Sequence, residues 1–332
     1  MKKLSFLKRE KTLNTALAVI LIFLIIALSI YPSVYSKATF KGLTLWATAV
    51  LPSLLPYFFL TALLTKINVL SGFCNSLTPL VKKPFRLSGT AVYAFLISIL
   101  SGYPVGSKTI ADLSEQNLIT NGEATRMSLL CSTSGPLFVI GAVGSTMFKS
   151  NGGGFILYLS HVLSALLTAL IFRKAGGKEK LVSAKYLTEK DDNALYNAVY
   201  SSVISALIVG GFVSVFFVIS EILTDFKILE PLTLLTSSVL APLGCGKLEG
   251  SAVSVGLIEF TKGCMLLSSV GTNAITLSLA CFLITFGGLS AILQSVVFLK
   301  RANVSAKFFL LGKLVQGTIA GILCYFTCLI FL

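Results

Sequence analysis

What most constrains this chain is a series of uncharged apolar runs, each about as long as a bilayer is thick. They are Thr12–Ser36, Gly42–Thr65, Met127–Phe148, Ser150–Phe172, Asn193–Ser220, Gly263–Leu299 and Leu314–Leu332. A helix needs roughly 20 residues to cross about 30 Å of hydrocarbon, so most of these runs have the length of one crossing. Gly263–Leu299 is too long for one helix and must contain a turn. Only 12% of residues are charged and mean hydropathy is +0.89, about half the charge share of a soluble domain. The fold class is an all-α polytopic membrane protein. Five basic residues precede the first run, as in a signal peptide. That apolar stretch exceeds a signal core and no convincing small-x-small cleavage site follows it, so it reads as a retained anchor.

Charge placement predicts the topology. With MKKLSFLKREK in the cytoplasm, as the positive-inside rule favours, helices cross at Thr12–Ser36 and Gly42–Thr65. Lys66 to about Glu123 then starts and ends inside. Two helices go out and return, the connector Arg173–Asp192 stays inside, and Glu221 to about Val270 starts and ends outside. On this scheme 20 of the 27 Lys and Arg lie inside and 4 outside. Dispersal of these residues among loops argues against a nucleic-acid partner for a chain of net charge +14.

The same scheme makes the halves mirror one another: a helix, a non-crossing excursion that is re-entrant or a broken helix, then two helices. The expected units are the basic segment and anchor 1–36, a first repeat 42–172, the connector 173–192 and an inverted second repeat 193–332. Inverted repeats are a building plan of secondary transporters. Weak self-similarity agrees: Ser88-Gly89-Thr90-Ala91-Val92 resembles Glu249-Gly250-Ser251-Ala252-Val253, with Gly102 and Gly263 following at equal spacing.

The polar interruptions carry the candidate chemistry. Ser101, Gly102, Tyr103, Pro104, Gly106, Ser107 and Lys108 break the uncharged stretch Leu87–Ser107. A helix from about Ser88 should end at Gly102, and a second should run from Lys108 to Asn117, since the residue before proline avoids helical geometry. The second helix would offer free N–H groups to an anion. Lys108 then either adds a formal charge there or snorkels to the headgroups. Irregular backbone at membrane depth survives only when buried in protein or lining a cavity. Ser132, Thr133, Ser134 and Gly135 precede Pro136 in mid-span, where proline removes a helical hydrogen bond; Gly287 and Gly288 hold the corresponding place in the other half. Glu259 and Lys262, one turn apart, either neutralise each other or couple to a substrate or proton, with Gly263 next. Asn273 binds solute or caps the next helix, and Lys313 snorkels.

Enzyme readings are weak. His161 is the sole histidine, so no His-rich metal cluster or paired relay is expected, and its expected role is a local hydrogen bond. No nucleophile elbow, zinc motif, P-loop or dinucleotide fingerprint occurs. The seven cysteines lie mostly in apolar runs without CxxC and read as small hydrophobes. No cofactor or metal is expected.

Several strings resemble the YlbJ/SpoVV family of sporulation integral membrane proteins, with their nucleoside-recognition or gate domain. They are LPSLLPYFFL (Leu51–Leu60), SGYPVGSK (Ser101–Lys108), TSGPLFVIGAVGSTMF (Thr133–Phe148) and GLIEFTKGCMLLSS (Gly256–Ser269). The resemblance implies spore formation and movement of dipicolinate, a planar dianion, across the membrane around the developing spore. The chain is short for that family, which leaves a paralogue with another small substrate open. The expected function is therefore a multi-pass transporter of a small anionic solute, working by alternating access in the lipid bilayer. A nucleoside or nucleobase carrier and a non-transporting spore-maturation scaffold stay open, as does homo-oligomer formation.

Overall fold

The computed structural model describes residues 2–66, 76–177 and 193–332, and every regular element among them is a helix. Helix α1 (Lys2–Ile30) ends at Tyr31, and α2 (Pro32–Leu45) leaves at 105° to it. Pro32 begins α2, where its missing N–H is no loss. The turn expected around residues 37–41 is absent. Tyr35, Ala38 and Gly42 face inward while Lys37 and Lys41 share the exposed face, so the lysines ride on a continuing helix. It passes through a wide π turn at Trp46–Val50 into α3 (Leu51–Lys66).

Helix α10 (Ala194–Asp225) lies along both α2 and α3. Trp46 pins this layer, donating from Nε1 to the Ala206 carbonyl at 3.1 Å. Its ring lies over Gly210, where a methyl group would come within 2.5 Å.

The remaining elements occur in the same succession in each half. After α3 come α4 (Thr78–Phe85), the pair α5 (Gly89–Ser101) and α6 (Val105–Glu115), the pair α7 (Asn121–Leu130) and α8 (Leu137–Met147, π-helical), and α9 (Asn151–Ile171). After α10 come α11 (Glu230–Leu240), the pair α12 (Lys247–Ile258) and α13 (Phe260–Val270), the pair α14 (Ala274–Phe286) and α15 (Gly288–Arg301), and α16 (Ala306–Phe331). Among the described residues, each half thus runs through a long helix, a short helix, two interrupted pairs and a final long helix. Residues 178–192, most of the expected connector, lie outside the described residues.

Two breaks depart from expectation. The second helix of the first excursion starts at Val105 rather than Lys108. In the second excursion the helix stops at Glu259, four residues before Gly263, which lies inside α13 against Gly256. The long run Gly263–Leu299 holds α13, α14 and α15, turning at Gly271 and again at Gly287.

Packing identifies the solvent. On α9 the exposed side chains are Phe155, Leu159, Leu163, Leu167 and Ile171, a stripe at i, i+4 spacing, while Ser160, His161, Ser164 and Thr168 are buried. Helix α16 is likewise apolar outside, with Leu311, Leu314, Ile322 and Phe326 exposed and Lys313 and Gln316 buried. Apolar out and polar in is the arrangement for lipid, where every polar group must be satisfied internally. Small residues bring the helices close: Gly144 of α8 abuts Gly154 of α9, and Gly317 of α16 abuts Phe282 of α14. Among the described residues, four helical segments are long and apolar enough to cross a membrane, and up to six if each of two bent pairs forms one span. The chain is a multi-pass membrane protein.

Candidate functional site

The four interruptions of the paired helices meet in the interior. Helix α5 stops at Gly102, whose φ of +81° is a conformation that favours glycine. A methyl group at Gly102 would lie 2.7 Å from the Gly135 amide nitrogen, so the first break rests directly on the second. The second break is an unwound segment, Ser132–Gly135, ahead of Pro136. Groups freed by the unwinding are repaired from the first excursion: Ser98 Oγ donates to the Cys131 carbonyl at 2.7 Å and lies 2.7 Å from Thr133 Oγ1. Gly287, with φ of +92°, forms the fourth break; a methyl there would lie 3.6 Å from Tyr103 OH. Gly288 presses on the third break, near the Gly256 carbonyl and the Phe260 amide. Phe260 stands edge-on to Phe138 and Tyr103, with ring centroids 5.5 and 6.5 Å away.

Two titratable side chains, one from the final long helix of each half, tie the breaks together. Lys313 on α16 is fully buried. Its Nζ donates to Tyr103 OH (2.7 Å), the Ser132 carbonyl (2.8 Å) and Gln316 Oε1 (2.9 Å). Tyr103 OH in turn donates a hydrogen bond to the Thr285 carbonyl at 3.0 Å. His161 on α9 accepts from the Ser134 amide at Nε2 (2.8 Å), and its Nδ1 lies 2.8 Å from Thr285 Oγ1. Because Nε2 is the acceptor, a neutral imidazole here carries its proton on Nδ1 and donates to Thr285. Each of the two residues therefore bridges the second break and the fourth, Lys313 by way of Tyr103.

All three partners of Lys313 are neutral oxygens. Among the described residues no carboxylate lies within ion-pair distance of it. A buried cation without a counter-ion is costly, and such groups normally pair or serve function. One neighbouring polar atom is also unspent: among the described residues Gln316 Nε2 has no hydrogen-bond partner.

The residues singled out in the sequence divide into two groups. Gly102, Tyr103, Ser132, Ser134, Gly135, Gly287 and Gly288 lie at the junction, with Thr133 joined to it through Ser98. Ser101 and Pro104 are buried beside it. Gly106 and Ser107 form the buried first turn of α6, and Gly106 packs against the Cys131 carbonyl. Lys108 does not join them; it is exposed on α6, and the cation at the junction is Lys313 instead of a snorkelling side chain. Asn273 caps α14, accepting from the Ile275 and Thr276 amides at 2.9 Å each. His161, Lys313 and Gln316 were not distinguishable beforehand, because a lone polar residue on an apolar helix reads alike whether it points to lipid, headgroup or core.

Glu259 and Lys262 do not neutralise one another through their side chains. Glu259, fully buried, turns back to cap α13, its Oε2 accepting from the Lys262 amide at 2.7 Å. Lys262 reaches α10, where it pairs with Glu221, donates to Ser220 Oγ at 3.0 Å and lies 4.6 Å over the Phe217 ring. Glu221→Ala strands this cation. It is expected to lower stability by about 1–2 kcal/mol, below the usual 3–5 for a broken buried pair because Glu221 is 33% exposed. The double variant Lys262→Met/Glu221→Leu should recover most of the loss in thermal unfolding of detergent-purified protein. A double variant no better than the single one would contradict this account.

No protein-family model matches the chain. The sporulation integral membrane protein YlbJ of Bacillus subtilis (strain 168) is 28% identical, over 93% of this chain and 82% of that protein. Among solved structures, the chain is similar to CNTnw, a concentrative nucleoside transporter chain. A CNTnw variant in an outward-facing state gives a TM-score of 0.56 at 14% identity, covering 97% of this chain and 86% of that one. CNTnw in an inward-facing substrate-bound state gives 0.54 at 13% identity with the same coverage. At such identities the likeness is one of fold.

Proposed function

We propose that this protein transports a small anionic metabolite, dipicolinate, across the membrane around the developing spore. The supporting observation is Lys313: a fully buried cation where four helix breaks converge, bonded only to neutral oxygens. An anion supplies the missing counter-charge, and hydrogen bonds between ionised partners are roughly twice as strong as neutral ones. Likeness to a transporter solved in outward- and inward-facing states supports alternating access, with the two halves acting as inverted repeats. The excess of basic residues on the proposed inner side supports a cytoplasmic N-terminus.

The test is uptake of labelled dipicolinate by proteoliposomes holding the purified protein. Saturable uptake, blocked by unlabelled dipicolinate and not by uridine, is expected. The fold similarity to CNTnw favours a second reading, a nucleoside carrier. Uridine uptake that dipicolinate leaves untouched would establish that reading and dismiss the first.

A further inference from the structure

We propose that Gln316 is a specificity-determining residue that reads a second acceptor beside the substrate's carboxylate. In the dianion proposed above, that acceptor is the ring nitrogen next to its carboxyl groups. This inference rests on the anion-carrier reading above.

Gln316 follows Lys313 by one turn of α16, and its side chain is fully buried. Its Oε1 accepts from Lys313 Nζ at 2.9 Å, which fixes the amide: the reverse orientation would turn N–H donors toward an ammonium. The Nε2 donor is therefore held in place, with no acceptor among the described residues. Leaving a buried donor unpaired costs about 1–3 kcal/mol. A leucine would fill the position without that cost, so the structure carries an unmet demand for an acceptor.

The three protons of Lys313 are distributed among a phenol, a backbone carbonyl and an amide oxygen. A carboxylate is a stronger acceptor than any of these and can displace one. A ligand oxygen at Nζ then lies next to the amide whose oxygen also holds Nζ. In a pyridine-2-carboxylate the ring nitrogen and the nearer carboxylate oxygen point along one edge of a rigid plane. Two acceptors thus face two adjacent donors without loss of ligand rotamer freedom. A benzene carboxylate presents C–H at the same place and leaves Nε2 unpaired.

The probes are pyridine-2,6-dicarboxylate and benzene-1,3-dicarboxylate, which share shape and charge and differ by ring nitrogen against C–H. Initial uptake rates are measured in proteoliposomes of the full chain, with binding to detergent-purified protein by calorimetry as the second readout. The native protein should favour the pyridine by about 10- to 100-fold, the equivalent of one orphaned buried donor. In Gln316→Leu the ratio should fall to within about threefold; Gln316→Met serves if the leucine variant elutes aggregated. Gln316→Glu should depress uptake of both anions, because its carboxylate occupies Lys313. Equal, saturable uptake of both anions by the native protein overturns the role of Gln316 and leaves the anion carrier standing. So does a leucine or methionine variant that keeps the native ratio. Failure of both anions to bind or enter overturns the carrier reading itself, and this inference with it.

Discussion

Lys313→Met is expected to reduce saturable dipicolinate uptake by about 100-fold while the protein still folds and elutes as one species. A hydrogen bond to a charged group is worth about 1.5–3 kcal/mol, and among the described residues no carboxylate stands within ion-pair distance of this ammonium. Methionine has similar length and no charge to desolvate. Exchanging a buried charge for an apolar side chain of similar volume is often neutral or stabilising. Against that relief stand two acceptors left without a donor, the Ser132 carbonyl and Gln316 Oε1, whereas Tyr103 OH keeps its bond to Thr285. The opposing terms should leave the thermal midpoint within a few degrees of native. A folded methionine variant with native uptake would remove Lys313 from the transport site. Lys313→Arg should also transport poorly, since a planar fork cannot reproduce three bonds fanning from one nitrogen.

Gly106→Ala should prevent stable folding. Its methyl group would fall 1.8 Å from the Cys131 carbonyl oxygen and 2.6 Å from Ser98 Oγ. The first of these is backbone at an unwound helix end and cannot swing aside. Overpacking typically costs about 1–3 kcal/mol, and a clash with fixed backbone belongs at or above that upper end. Gly141→Ala is the control, since a methyl there meets nothing within 4 Å. Loss of monodisperse protein on size-exclusion chromatography for the first variant and native behaviour for the second is the expected pair of results. A stable Gly106→Ala with unchanged melting would refute the close approach of α6 to the second break.

Legibility in the sequence follows the kind of signal each feature leaves. Glycine and proline announce a break by their own backbone chemistry, so Gly102–Pro104, Ser132–Pro136 and Gly287 could be read directly. The third break, at Glu259, has no such residue: it is held by a carboxylate capping α13 and by Gly288 packed against it. Gly263 drew attention instead, because a glycine at a tight helix crossing resembles a glycine at a turn. The turn at Tyr31–Pro32 was obscured by Lys37 and Lys41, whose charges suggested a loop although both sit on the outer face of α2. The buried cation is hidden in the sequence for a related reason. Lys108 adjoins a conspicuous motif but is exposed, whereas Lys313 stands in an unremarkable apolar helix and meets Tyr103 and Ser132 from far along the chain.

Those distances in sequence bear on how the protein is made. The bonds from Lys313 to Tyr103 and Ser132 span 210 and 181 residues, and contacts so remote form late because chain closure must precede them. Until α16 docks, the Ser132 carbonyl in the first half lacks the donor it has in the finished protein. Membrane insertion must therefore carry a first half that is incomplete at its centre, and the last helix supplies both closing wall and charge. Docking of the last helix and completion of the buried polar junction are a single event in this chain.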